Sequence, residues 1–199
     1  TIKGIERIKA DVRDIVSLED AFNSFRPDVV IHTAGQPGVQ MSLEKPVEDY
    51  HINATGTLNV LEALRKTNDK GIFLYCSTNK VYGVNVDQYT LDENVNRYSF
   101  RDISGVNETE SIDRTGHTPY GVSKLTGDLY VQDYAYAYGL RTGVFRMSCI
   151  YGTRQFGFED QGWIAWFCRR VFTEEPITLF GNGKQVRDVL WVGDLVKAF

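Results

Sequence analysis

Apolar residues in this chain fall into short continuous runs separated by stretches of helical period. Val29-Val-Ile31 and Ile72-Phe-Leu-Tyr-Cys76 have no polar face, the pattern of strands buried on both sides of a parallel sheet. Thr142-Gly-Val-Phe-Arg146 reads as another such strand, and Ile5-Glu-Arg-Ile-Lys-Ala10 as a short one ahead of them. Helical patterns lie between. Ser17 with Asp20 makes an N-cap for a helix through Phe25. Ile52, Leu58, Leu61 and Leu64 recur at helical spacing from about Val47 to Lys66. Pro119, suited to a first helical turn, opens a helix that runs to Tyr138 and that Gly139 ends. Gln161 to Phe172 is helical; Ile177–Phe180 and Val186–Trp191 read as short strands around Gly181-Asn-Gly183, and Asp194 as the cap of a last helix. Residues 84–117 are polar and without period, a loop long enough to be functional or flexible. Strands alternating with helices predict an α/β fold with a doubly wound parallel sheet. Ligands bind such sheets beyond the strands' C-terminal ends. Asp11, His32 to Gln36, Thr78 and Arg146 all fall at those ends.

Composition narrows the partners. The 199 residues suffice to bury a sizeable core, and a net charge of −4 without a basic run gives no support for nucleic-acid binding. No apolar span of 18 residues and no signal-peptide pattern occur, so no membrane partner and a cytoplasmic location are expected. Cys76, Cys149 and Cys168 are odd in number and lack metal-ligand spacing, as expected of reduced thiols. No metal site is expected.

The chemistry concentrates in Thr118-Pro-Tyr-Gly-Val-Ser-Lys124. Tyr120 and Lys124, four apart, share one helix face. An ammonium close to a phenol favours the phenolate and lowers a pKa that starts near ~10, giving a general base usable near neutrality. The same spacing also arises by chance on amphipathic helices, so the pair gains weight only from the strand-end residues around it. A glycine-rich phosphate loop, G-x-G-x-x-G or G-x-x-G-x-x-G, is missing. The chain opens where a third strand of a dinucleotide fold stands, and it is expected to be a fragment lacking that loop and a C-terminal part.

Seven motifs in order resemble the extended short-chain dehydrogenase/reductases, the family of NAD-dependent nucleotide-sugar epimerases and dehydratases. They are Asp11-Val12, His32-Thr-Ala-Gly35, Asn53-Ala-Thr-Gly-Thr57, Ser77-Thr78 with Val81-Tyr-Gly83, Tyr120/Lys124, Arg146 with Tyr151-Gly152, and Gly181-Asn-Gly-Lys-Gln-Val-Arg-Asp188. The resemblance implies a Rossmann-type fold: residues 1–148 as a partial dinucleotide-binding domain, and 149–199 as the start of a substrate-binding lobe with a return segment. It implies NAD as cofactor, although the second strand, which separates NAD from NADP, is not in the sequence, and a homo-oligomer for the full-length protein. Catalytic roles are carried to Thr78, Tyr120 and Lys124. Cofactor contacts are carried to Asp11, Val12, Ala34, Gly35, Gln36 and Ser148 beside the catalytic three. Substrate contacts are carried to Asn79, Lys80, Cys149, Gln161 and Arg187 along with Thr78 and Tyr120.

Within the family, His32-Thr-Ala-Gly-Gln36, Ser77-Thr-Asn-Lys-Val-Tyr-Gly83, Arg154-Gln-Phe156, Asp160-Gln-Gly-Trp163 and the 181–190 stretch are most similar to enzymes that invert C2 of a CDP-linked 3,6-dideoxyhexose, interconverting CDP-paratose and CDP-tyvelose. The family's 4,6-dehydratases carry an Asp-Glu pair after the catalytic threonine to eliminate water. Here Asn79 and Lys80 stand there. An amide cannot supply that proton transfer, and a lysine replaces the glutamate base only with a strongly depressed pKa. Epimerisation is therefore expected over dehydration. A UDP-hexose 4-epimerase using the same residues stays open, as does a cofactor-sensing protein on the same fold. For Asp11 the competing expectation is a turn cap, for Arg187 a surface ion pair, and for Asn53 a brace of the fold. The isolated 199 residues are expected neither to bind a dinucleotide tightly nor to catalyse.

Overall fold

A computed structural model describes residues 4–159 and 161–199. Asp160, within one of the resemblance stretches, lies outside the described residues. At the centre is a parallel three-stranded sheet in the order β1 (Val29–His32), β2 (Ile72–Thr78), β5 (Arg141–Met147). Parallel neighbours need a crossover of a dozen residues or more, and helices supply them. Between β1 and β2 run α2 (Val39–Glu44), α3 (Pro46–Tyr50), a π-turn (His51–Thr55) and α4 (Gly56–Thr67). The single helix expected from 47 to 66 is thus interrupted by a one-turn bulge at Asn53. Between β2 and β5 lie the polar insertion and α5 (Thr118–Tyr138), which opens at Pro119 and closes on left-handed Gly139 (φ 67°), as the sequence predicts. The insertion is mostly irregular but folds a hairpin, β3 (Leu91–Glu93) with β4 (Tyr98–Phe100).

The core lies on one face of the sheet. Phe73 and Tyr75 of β2 are fully buried against Leu18 of α1 (Ile15–Phe25), Leu61 and Leu64 of α4, and Val131 and Tyr134 of α5. On the other face Phe145 of β5 meets Phe199 edge-on at 4.9 Å. The C-terminal segment adds α6 (Trp163–Phe172), a two-stranded parallel sheet of β6 (Cys149–Tyr151) and β7 (Val189–Trp191), and α7 (Val192–Ala198).

Five expectations are corrected. Ile5–Ala10 is not a strand: among the described residues no strand lies beside it, and Ile5 and Ile8 are half-exposed. Val29 and Ile31 are likewise half-exposed, so β1 is buried on one face only. The α1 cap is Asp14, whose Oδ1 accepts from the Val16 and Ser17 amides while Ser17 donates its hydroxyl to Oδ2 at 2.5 Å. Among the described residues Ile177–Phe180 joins no strand ladder, and Asp194 sits inside α7, bonded to Lys197, rather than capping it.

Candidate active site

Three segments converge at the C-terminal end of β2: the strand itself, the loop after β1, and the first turns of α5. Thr78 ends β2 buried, and its Oγ1 accepts from the Lys80 amide at 3.3 Å, capping a 3-10 turn (Asn79–Tyr82). That cap turns the chain out of the sheet, so Asn79 and Lys80 are exposed beside Thr78. Tyr120 faces Thr78 from the first turn of α5. Thr118, just before it, holds a left-handed φ of 63°, and its Oγ1 accepts from the Gly121 amide. Such a conformation costs a non-glycine residue on the order of 1 kcal/mol and persists where the surroundings over-determine it. Here it fixes where the helix, and hence Tyr120, begins.

Lys124 is 6 % exposed, and its Nζ donates to the Cys76 carbonyl at 2.6 Å while lying 4.3 Å over the Tyr75 ring. Burial pulls its pKa down to about 8, against the countervailing pull of Cys76, Asp128 and Asp49. The tyrosine behaves differently from the expectation of a lowered pKa. Burial pushes the Tyr120 hydroxyl up, the hydrogen bond from Thr78 pulls it down, and the charge of Asp49 pushes it up again, for a net rise. Burial outweighs the rest, and the lysine's short hydrogen bond goes to the Cys76 carbonyl of the sheet.

The loop after β1 comes close to the pair. A Cβ on Gly35 would stand 3.0 Å from Asn53 Oδ1 and 3.9 Å from Lys124 Nζ, so the absence of a side chain keeps that approach open. Ala34 and Gly35 also border an open groove of about 570 Å³ whose far side is Ala10, Asp11, Val12 and Arg13. Four of the six residues expected to contact only the cofactor therefore share one groove. Asp11 is pinned there by Arg13, whose backbone amide and guanidinium both bond its carboxylate and hold its pKa at about 2. It does cap a turn, and it also lines the groove. Gln36 departs from the expectation: its side chain points inward, donating to Gly38 O and Asp49 Oδ1 at 2.8 Å each.

Ser148 reaches the site through Asn79 Nδ2, at 3.5 Å, and its hydroxyl meets Cys149 Sγ at 3.8 Å. Gln161 instead exchanges backbone hydrogen bonds with Phe158. Arg187 is exposed and its guanidinium bonds the Val186 carbonyl. Among the described residues, neither hydrogen-bonds to Thr78, Asn79, Tyr120 or Lys124.

Beneath these residues lies a polar layer of which the sequence predicts only the brace at Asn53. Asn53, 1 % exposed, donates to Gln36 O, Asp49 Oδ1 and Ser123 Oγ and accepts the Gln36 amide, so it braces the fold. Asp128, fully buried, gathers Ser77, Gln132 and Arg146. A signal existed in the Asp49/Asn53 spacing of four and in Ser123 and Asp128 flanking Lys124, but the partners lie far away in the chain.

The geometry has known counterparts. Over its whole length the chain is 40% identical to the CDP-paratose 2-epimerase of Salmonella typhi, spanning 60% of that protein, and over 97% of its length it is 35% identical to a putative UDP-glucose 4-epimerase of Methanocaldococcus jannaschii, spanning 57% of that one. The fold superposes on the UDP-glucose 4-epimerase of Thermus thermophilus in complex with NAD, with a TM-score of 0.81, 32% identity and coverage of all of this chain and 60% of that one. The chain thus spans about three-fifths of the length of these relatives. The model of the NAD dependent epimerase/dehydratase family matches residues 1–199. This chain belongs to the NAD dependent epimerase/dehydratase family.

Proposed function

We propose that the protein epimerises a nucleotide-linked sugar, with C2 of CDP-paratose or CDP-tyvelose as the reacting centre. The observation that carries this reading is the convergence at the end of β2, where Lys124, one turn after Tyr120, bonds the Cys76 carbonyl two residues before Thr78 and the side-chain-free Gly35 lies beside it. The groove of Asp11, Val12, Ala34 and Gly35 has small residues and open backbone on its inner wall, which suits a dinucleotide laid along it. Bound there, NAD supplies a hydride acceptor and, after the sugar turns, the donor.

The chain's own residues supply the proton chemistry. Tyr120 accepts the proton of the sugar hydroxyl as the carbon-bound hydrogen leaves, and Thr78 steadies the oxygen as it becomes a carbonyl. Lys124 is positively charged below about pH 8 and favours the phenolate form that Tyr120 needs before it can accept that proton. Asn79 and Lys80, exposed beside Thr78, face the sugar; neither is the acid–base pair that dehydration demands. Residues 1–148 serve as the cofactor-binding part and 149–199 as the start of the substrate lobe, with Cys149, Gln161 and Arg187 reaching the nucleotide sugar from that side. Ser148 joins the two through Asn79.

The test is incubation of the full-length chain with NAD and either CDP-paratose or UDP-glucose, deuterated at C2 or C4 respectively, followed by NMR of the product. Inversion at C2 with the label retained supports the reading. Inversion confined to C4 of UDP-glucose replaces it with the 4-epimerase reading, which the 35%-identical relative favours. Tyr120→Phe is expected to abolish turnover with NAD affinity nearly unchanged.

A further inference from the structure

Behind the Tyr120–Lys124 turn lies a carboxylate with no part in that proton transfer. Asp49, on α3, is 1 % exposed. A buried carboxylate persists only if its lone pairs are filled. Three donors from three segments fill them: Gln36 Nε2 at 2.8 Å from the loop after β1, Asn53 Nδ2 at 3.1 Å from the π-turn, and Ser123 Oγ at 2.5 Å from α5. Ser123 stands three residues after Tyr120 and one before Lys124. Its single hydroxyl proton has two acceptors in reach, Asp49 Oδ2 and the Tyr120 carbonyl at 3.0 Å, and the shorter contact is to Asp49. Its oxygen accepts from Asn53 Nδ2 at 3.0 Å. The same carboxylate therefore holds the loop that borders the groove and the helical turn that bears both catalytic side chains.

Few other charges compete with it. Lys124 faces Asp49 from α5, and Tyr120 feels its negative charge from the same helix. On α3 and just before it, Glu48 pairs with Lys45 at 3.5 Å near the surface. Glu44 of α2 is exposed and bonds Gln40, and His51 of the π-turn is exposed and meets Thr55.

We propose that Asp49 is a positioning residue for the Tyr120/Lys124 pair, holding their turn of α5 in register with the Gly35–Gln36 loop and setting the electrostatic potential at Tyr120. This rests on Tyr120 being the base of the proposed epimerisation. Misplacing a catalytic group by an ångström costs about 100-fold in rate, so loss of the clamp falls on kcat. Loss of the charge acts separately: a negative charge beside a phenol opposes its ionisation, and removing it favours the phenolate.

In the full-length chain, Asp49→Asn is expected to lower kcat roughly 10- to 100-fold with a smaller change in KM. It should also move the acid limb of the kcat–pH profile to lower pH. Ser123→Ala, which breaks the clamp and keeps the charge, is expected to lower kcat with the limb in place. A limb unmoved in Asp49→Asn, or wild-type kcat in Ser123→Ala, overturns the proposal. The tyrosinate absorbance of Tyr120, read as wild type minus Tyr120→Phe across pH, needs no turnover. An acidward shift of that signal in Asp49→Asn supports the proposal, and an identical titration overturns it. Wild-type chain that inverts no nucleotide sugar would sink the epimerase reading alone, because the titration still reports on Asp49. Should Asp49→Asn not fold, Ser123→Ala decides by its kcat.

Discussion

Arg146 of β5 grips Asp128 of α5 through two N–H···O contacts, Nε to Oδ2 at 3.0 Å and Nη2 to Oδ1 at 3.1 Å. The carboxylate is wholly buried and the guanidinium nearly so. Ser77 and Gln132 fill the remaining lone pairs, each at 2.6 Å. The other arm of Arg146 donates to Glu108 O in the polar insertion and to Tyr82. One side chain thus ties strand, helix and insertion together. Removing one member of a buried pair leaves the other uncompensated, a loss of about 3–5 kcal/mol. Arg146→Met is expected to cost at the lower end of that range, since Ser77 and Gln132 still solvate Asp128. Asp128→Ala costs less, because Arg146 retains a route to water. Urea denaturation of the two variants checks the order; equal losses would contradict it.

Gly127 sets how closely α5 approaches the sheet. A Cβ there would lie 2.6 Å from the Tyr75 hydroxyl and 3.2 Å from Thr57 Oγ1, and Tyr75 is fully buried and has no room to move aside. Alanine gains about 1 kcal/mol in helix propensity, but overpacking costs about 1–3. The clash is backed by a rigid ring, so Gly127→Ala should be net destabilising by roughly 1–2 kcal/mol. Gly105, with nothing within 4 Å of a Cβ, is the control: Gly105→Ala should leave the melting temperature within a degree or two.

What was legible in the sequence was what local chemistry decides. Pro119 and Gly139 punctuate α5 by their own backbone constraints, and the structure places both where expected. The alternation of apolar runs and helical stretches likewise survived in β1, β2 and β5. Strand boundaries failed where a partner decides them: Ile5–Ala10 has strand composition but no neighbouring ladder, and an apolar run at Val29–Ile31 does not tell which face is covered. Ser17 has the chemistry of a cap, but Asp14, three residues earlier, is an equally good one and takes the position. Most of the positioning layer stays hidden for a different reason. Asp49 and Ser123 are 74 residues apart, and no local pattern pairs them.

Lys124 is held at a cost to stability. Its pKa falls from 10.5 in the ordinary state to about 8 in the fold, because burial disfavours the ammonium. The unfolded chain binds the proton more tightly, so this group destabilises the fold fully below about pH 8, and the penalty fades as pH rises from 8 to 10.5. Lys124→Met keeps the stem and removes the charge. It should abolish turnover and stabilise the fold at pH 7 by about 1–3 kcal/mol, less what the lost Cys76 hydrogen bond contributes. Denaturant titrations at pH 7 and pH 10 check the sign: the variant's advantage should shrink at the higher pH. An advantage that grows with pH would refute the assignment of burial as the cause.

His32 should make the fold acid-sensitive. The ring is 4 % exposed, stacked on Tyr75 with 5.7 Å between centroids, and 3.1 Å from Thr57 Oγ1. Thr57 gives its own hydroxyl proton to Asn53 O at 2.6 Å, so toward the ring it accepts, and Nε2 carries the hydrogen of a neutral imidazole. Burial and, less strongly, the Lys124 charge hold the folded pKa at about 4 against 6.5. Between those values the unfolded chain takes up a proton that the folded chain refuses, so stability falls as pH drops from 6.5 to 4 and levels off below. The full difference is on the order of 3 kcal/mol. Asp49, whose pKa burial raises, works in the opposite direction over the acid range. The comparison must therefore be between wild type and His32→Gln, which keeps a donor for Thr57 and cannot charge. The gap in unfolding free energy between them should shift in favour of the variant as pH falls from 7 to 4.5, and a gap constant across that range would rule out a buried neutral histidine.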